Sequence, residues 1–209
     1  DNTYYVSISE ADREPSLDYI ATVYNGIDLS NITFRPEPGP DLLFLGRIHP
    51  DKGLHLAVET ALATDRKLII AGIVQDKDYF RQSIHPHIDG ERIEYIGPVN
   101  PAQRDQLFAR AYALLHLNTT PERFGLVMAE AMAAGVPVIA MDKGSPREVI
   151  ADGKTGYLVN SVPQAVQAIK KIPHIDRRQP RTHVEKNFTT ETMANAYEKV
   201  YTRIFELQE

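Results

Sequence analysis

Residues 41–72, DLLFLGRIHPDKGLHLAVETALATDRKLIIAG, place two short apolar runs on either side of a segment with helical spacing. DLLFLG (41–46) and KLIIAG (67–72) are too short for core helices and have no polar alternation, as expected of strands buried on both faces. Between them GLHLAVETALATD (53–65) repeats its apolar residues every three or four positions. The same alternation continues outward. DYFRQSIHPHI (78–88) reads as a short helix that Pro86 interrupts or ends, and RIEYIG (92–97) as the next strand. Asn100 before Pro101, with Gln103 three residues after it, signals a helix over PAQRDQLFARA. Strand YALLHL (112–117), helix GLVMAEAMAAG (125–135), strand VPVIAM (136–141) and strand TGYLV (155–159) follow. Helix SVPQAVQAIKK, a basic stretch IDRRQPRTHVEK read as a solvated loop, and a terminal helix over 190–209 complete the chain. Repeated βα units predict an α/β fold with a doubly wound, Rossmann-like parallel sheet, whose ligands sit beyond the carboxyl ends of the strands.

Composition narrows the function classes. The 209 residues suit one domain with a sizeable core, and 43% hydrophobic with 24% charged residues is ordinary for a globular chain. No run reaches the roughly 18 apolar residues of a membrane span. With 23 basic against 28 acidic residues the net charge is −5, so the surface offers no broad attraction for nucleic acid and an anionic ligand must be met locally. The absence of cysteine removes disulfides, thiolate metal sites and thiol nucleophiles, and fits a reducing, cytoplasmic setting. The opening DNTYYVSISEADRE has neither an initiator Met nor a signal sequence, which gives the expectation that the chain starts inside a longer polypeptide.

Two loops that follow strands carry groups suited to an anion. GRIHPDKG places Gly46, Arg47, Lys52 and Gly53 after the first sheet strand, where cations and close-approach glycines can serve a phosphate. After YALLHL come Thr119, Thr120 and Pro121, and Gly125 opens a helix whose first N–H groups have no intrahelical acceptor. Glu122 lies just before that helix and Glu130 lies two turns in, enclosed by Met128, Ala129, Ala131 and Met132. An unpaired carboxylate in such company is costly. Two acceptors set apart along the helix axis in this way can grip hydroxyls on either side of a phosphate group.

Taken together, E-x7-E with A-x-G-x-P-V-I-A after it, GR-x4-KG upstream, REVIADGKTGYLV downstream, VYNGID at 23–28 and a terminal helix with Phe188, Tyr197 and Tyr201 resemble one family. It is the carboxyl-terminal, donor-nucleotide-binding domain of retaining GT-B-fold glycosyltransferases of the group 1 (family 4) type. The resemblance implies a UDP- or GDP-sugar as donor, no metal and no further cofactor. Arg47 and Lys52 would hold the donor diphosphate beside Gly46, and the backbone of Phe124, Gly125, Leu126 and Val127 would cap phosphate and sugar. Glu122 would bind sugar hydroxyls and Glu130 the ribose, with Val99 and its neighbours Gly97 and Pro98 meeting the base. Glu122, Arg47 and Lys52 are then the catalytic set. Residues 1–22 are expected to be a remnant of, or linker from, a preceding domain, 23–188 the nucleotide-sugar domain, and 189–209 a helix packing back toward the absent amino-terminal, acceptor-binding domain. The fragment alone is expected to be inactive, and any peripheral membrane contact is left to that absent domain. GSPREVI departs from the family pattern by the place of its proline, so Glu148 receives no ligand role.

Other readings compete. Asp76-Lys77-Asp78 spells a metal-chelating D-x-D, but acidic residues are also favoured at a helix start. His85 and His87 lack a third ligand, and His116 is read first as a satisfied core histidine, with a place in the cleft wall as the alternative. For the transfer itself, a front-face mechanism and a double displacement through Glu122 both fit. An epimerase or phosphorylase sharing the donor half, and a non-catalytic nucleotide-binding module, are the alternative functions.

Overall fold

A computed structural model describes residues 3–207, so the last two positions of the helix expected to reach 209 lie outside the described residues. Strands β1 (Tyr5–Ser7) and β2 (Tyr19–Thr22) pair in parallel as a separate ribbon. The main sheet comprises β3 (Asp41–Leu45), β4 (Leu68–Ala71), β5 (Ile93–Tyr95), β6 (Ala111–His116), β7 (Val138–Met141) and β8 (Gly156–Val159). Its order is β5-β4-β3-β6-β7-β8 and every pairing is parallel.

Every residue of β3 and β6 is buried, as the unbroken apolar runs predict for strands covered on both faces. The two-residue period then sorts the core. Leu42, Phe44 and Ile70 face one layer, formed by α1 (Leu54–Thr64) and residues to its sides, whereas Leu43, Leu45 and Ile69 face the other. The remaining helices are α2 (Lys77–Tyr79), α3 (Pro101–Arg110), α4 (Leu126–Ala133), α5 (Pro146–Val149), α6 (Val162–Lys171), α7 (Arg178–Asn187) and α8 (Thr190–Glu206). α6 packs beside α1, while α3, α4 and α7 cover the opposite face.

Three segments carry structure beyond what the sequence reading described. The short helix over 78–88 ends at Pro86 as expected, but in a mixture of wider and tighter turns: α2 runs into a wide π-turn, Phe80–Ile84, and a 3-10 turn, His85–His87. Pro86 cannot donate to a preceding carbonyl, so a regular helix is not sustained there. The basic stretch is not a solvated loop. Pro180 and Val184, four apart, are buried on one side of α7, and Phe188 continues the stripe. Arg177 is buried and donates to the carbonyls of Arg35, Ala111 and Tyr112 at 3.1, 3.3 and 3.4 Å, and its burial pulls its pKa down to about 10. Finally, the segment after β1, within the residues 1–22 expected as remnant or linker, contains β2 and is docked. Glu148 accepts the amides of Glu10 and Ala11 at 2.7 and 2.9 Å and the Tyr24 hydroxyl at 3.1 Å, which gives this carboxylate an anchoring task.

α8 is held at one side, where Val200 is buried and Arg203 donates to the Ile20 carbonyl at 3.0 Å. Tyr201 and Phe205 on its outer face are 60% and 67% exposed.

Candidate active site

The strand order reverses between β3 and β6, which opens a crevice beyond their carboxyl ends. A cleft of about 580 Å³ occupies it, walled by the loops that leave these two strands. Gly46, Arg47 and Lys52 come from the first, and Asn118, Glu122 and the run Phe124 to Val127 from the second, with His116 at the end of β6 itself. The walls are stitched together. Thr119 donates through its amide to the Asp51 carbonyl at 2.9 Å and through its hydroxyl to the Pro50 carbonyl at 3.1 Å.

Glu122 gathers the donors of this cleft. Lys52 Nζ and Asn118 Nδ2 each lie 2.7 Å from its Oε2, and His116 Nε2 lies 3.1 Å from the same atom. A carboxylate only accepts, so His116 carries a proton on Nε2. Oε1 accepts the Arg123 amide at 3.2 Å and no other partner among the described residues. Burial, with the side chain 14% exposed, works against ionisation, but the hydrogen bonds and charges of His116 and Lys52 outweigh it. The carboxyl is therefore held well below the usual carboxylate range.

Backbone geometry fixes this residue from both sides. Its amide donates to the Lys143 carbonyl at 3.0 Å and its carbonyl accepts the Ser145 amide at 2.9 Å, a bridge centred on Gly144. Gly125, at φ 78°, then turns the chain into α4 through a left-handed conformation that favours glycine. The first N–H groups of α4 lack intrahelical acceptors and border the cleft. Arg47 reaches sideways and donates to the Gln75 side chain in the loop after β4.

Glu130 is placed differently. It lies in the second turn of α4, 16% exposed, with Arg104 Nη1 of α3 2.8 Å from its Oε1. The carboxylate is thus not waiting for a ligand alone, as its apolar neighbours suggested. Burial is the larger influence and pushes its carboxyl up, with Arg104 pulling the other way. Neither Glu130 nor Val99 lines the cleft between β3 and β6, and Val99 packs half-buried against the α3 and α4 layer.

A family model for glycosyl transferases group 1 matches residues 28–187. The chain belongs to the group 1 glycosyl transferases. It is 31% identical over 205 residues to a glycogen synthase of Mycobacterium tuberculosis, an alignment covering 90% of this chain and 49% of that protein. The structure of AviGT4, a glycosyltransferase involved in avilamycin A biosynthesis, superposes with a TM-score of 0.81 at 25% identity, over 95% of this chain and 63% of the other. Anabaena Alr3699/HepE in complex with UDP-glucose gives a TM-score of 0.80 at 19% identity, over 95% and 63% of the two chains. This group 1 chain therefore spans about half the length of the curated relative and carries the Rossmann-like half of a GT-B fold.

Within this glycosyl transferase domain the remaining expectations sort as follows. The structure gathers Gly46, Arg47, Lys52, Glu122, Phe124, Gly125, Leu126 and Val127 around one cleft, and sets Val99 and Glu130 apart from it. His116 is buried and satisfied by Glu122, as the core-histidine reading had it, and at the same time lines the cleft. Asp76 caps α2 by accepting the Tyr79 amide at 2.9 Å and Asp78 pairs with Arg81, as the helix-start reading had it. No cluster of three or more metal-ligating side chains occurs among the described residues. Asn118 and Arg104 were missed. Asn118 follows directly on the apolar strand YALLHL and carried a local signal, whereas Arg104 meets Glu130 only through the packing of two helices.

Proposed function

We propose that this domain binds a nucleotide diphosphate sugar as the donor half of a glycosyltransferase that retains anomeric configuration. The observation that carries the reading is the charge arrangement in the cleft: an ionised Glu122 beside Lys52, facing the opening turn of α4. In this reading the diphosphate takes over Lys52 from Glu122 and lies against the N–H groups of α4, with Arg47 swinging from Gln75 as the second cation. Glu122 then turns its less occupied oxygen, Oε1, to the sugar hydroxyls, and Glu130 serves the ribose. The Val99 loop meets the base.

Charge stabilisation is the main task of such a site. As the bond to the sugar loosens, the leaving diphosphate gains charge, and preorganised donors are worth on the order of 10²–10³ in rate each. Three donors converging on Oε2 make Glu122 a weakly basic carboxylate, which supports a hydroxyl-binding part over a covalent one. The fold neighbour from Anabaena is complexed with UDP-glucose, which makes a uridine nucleotide sugar the first donor to test. The acceptor site is assigned to the other half of the longer protein, and the setting to the cytoplasm.

Calorimetric titration of the chain with UDP, GDP and UDP-glucose, with and without a chelator, tests this reading. Binding of one nucleotide that survives chelation is expected. Binding abolished by the chelator would favour a metal at the D-x-D instead, and no binding of any of the three would favour a different ligand class.

A further inference from the structure

We propose that Arg104 is a positioning residue for the nucleotide: from the opening turn of α3 it anchors one oxygen of Glu130 and leaves the other presented to the ribose hydroxyls. The inference rests on the ribose role given to Glu130 above, and adds a residue that the family motifs do not contain.

Glu130 sits in a helix whose neighbours Met128, Ala129, Ala131 and Met132 are fully buried. A carboxylate there needs a cation to stay ionised, and Arg104 is the cation within reach. Arg104 is rigidly mounted. Asn100 accepts the Gln103 amide at 2.9 Å, the Gln103 side chain accepts the Asn100 amide at 2.9 Å, and Pro101 opens the helix. The Arg104 amide itself donates to the Asn100 carbonyl at 2.9 Å. Nor is its guanidinium drawn to the adjacent carboxylate. Asp105 is occupied by the amide and hydroxyl of Thr33 at 2.7 and 2.9 Å and by Arg35 at 3.4 Å.

The pair uses only half of the carboxylate. Arg104 meets Oε1, while Oε2 has no protein partner among the described residues and is not one of the buried orphan atoms, so it reaches solvent. Ribose offers two neighbouring hydroxyls, each able to donate, and a carboxylate with one anchored oxygen presents a fixed acceptor edge to them. Arg104 has donors only, which suits it to hold Glu130 while Glu130 meets the donating hydroxyls. Its charge also discourages protonation of Glu130, which would replace an acceptor with a donor.

The test compares UDP with 2′,3′-dideoxyuridine diphosphate, or the guanosine pair if that base binds, by calorimetry on the 209-residue chain. Wild type is expected to prefer the ribose form. Arg104→Gln should weaken UDP on the order of tenfold, equivalent to ~1.4 kcal/mol, and leave the dideoxy nucleotide unchanged. Arg104→Lys, which keeps the charge but not the planar fork, should lose less, again for UDP only. Adding Arg104→Gln to Glu130→Gln should change nothing further. Equal weakening of both nucleotides, or an unchanged preference in Arg104→Gln, overturns the proposal while the ribose reading stands. A wild type that binds both nucleotides alike overturns the two together. If Arg104→Gln does not fold, Arg104→Lys decides by the same criterion: a loss confined to UDP supports the role, and an equal loss or none refutes it.

Discussion

Replacing Lys52 by Met keeps an unbranched side chain one atom shorter and removes the ammonium from Glu122. The two side chains are 22% and 14% exposed, so the pair is neither a surface contact nor a fully buried one. Breaking a buried pair costs ~3–5 kcal/mol and losing an exposed one ~0–1 kcal/mol. Asn118 and His116 still serve Oε2 after the change, at 2.7 and 3.1 Å, which places the expected loss near the middle of these limits, at about 2 kcal/mol at pH 7. For a chain of this size ~2 kcal/mol corresponds to a fall of about 4–8 °C in Tm, readable by circular dichroism or calorimetry.

The pH dependence gives the sharper test. The Glu122 carboxyl is lowered in the folded chain, so the stability it contributes is present above the ordinary carboxylate value and fades as pH falls toward its folded value. Lys52 is one of the groups that lowers it. Because His116 still lowers the carboxyl in Lys52→Met, the gap between wild type and variant should stay constant from pH 7 through the ordinary carboxylate range and shrink only at more acid pH, where Glu122 of the folded variant takes up its proton. Equal Tm values at pH 7, or a gap that already closes above about pH 5 while Glu122 is still ionised, would refute the argument that Lys52 stabilises the chain by serving an ionised Glu122.

Three further outcomes follow from the same contacts. Glu130→Gln should weaken UDP and UDP-glucose alike, whereas Glu122→Gln should act mainly on UDP-glucose; titrations showing equal proportions for both variants would end that division. Arg177→Met should destabilise the chain by about 3 kcal/mol, since three carbonyls lose a buried donor, and a chemical denaturation midpoint shows whether it does. Gly144→Ala should cost more than Gly125→Ala, because the new Cβ meets the Glu122 carbonyl oxygen at 2.3 Å in one case and the flexible end of Met128 at 2.5 Å in the other. Beyond the shared cost of ~1–2 kcal/mol for a left-handed alanine, only the first must move backbone, so similar melting temperatures would count against the bridge as a rigid part.

The main sheet was legible because its strands are buried on both faces, and LLFL, LIIA and VIAM have no other soluble use. Helix α3 was legible because its start is written locally, in Asn100, Pro101 and Gln103. The cleft was partly legible for a topological reason: its walls are the loops after β3 and β6, so residues in those loops meet whatever the details of packing. What the sequence hid is what only packing creates. β2 is four half-buried residues without an apolar run, and α7 shows an apolar stripe only once the arginines around it are seen to find backbone carbonyls. Arg104 and Glu130 are joined through two helices that share no local pattern.

The two glutamates eight residues apart look like one helical device and are two. Gly125 breaks the helix between them, so Glu122 belongs to the β6 loop and Glu130 to the second turn of α4. The axial rise of ~1.5 Å per residue applies only to the part after the glycine. That break explains their opposite electrostatics. Glu122, at the end of a strand, meets side chains from both walls of the crevice, and three donors hold it ionised before any ligand arrives. Glu130, carried into the α3 and α4 layer, meets one cation and otherwise apolar neighbours, so burial dominates and its charge depends on Arg104. A site built this way has one carboxylate whose charge is secured by the cleft itself and a second whose charge is secured by helix packing. Changes to the α3 and α4 contact can therefore reach ligand binding through Glu130 without disturbing the donors that surround Glu122.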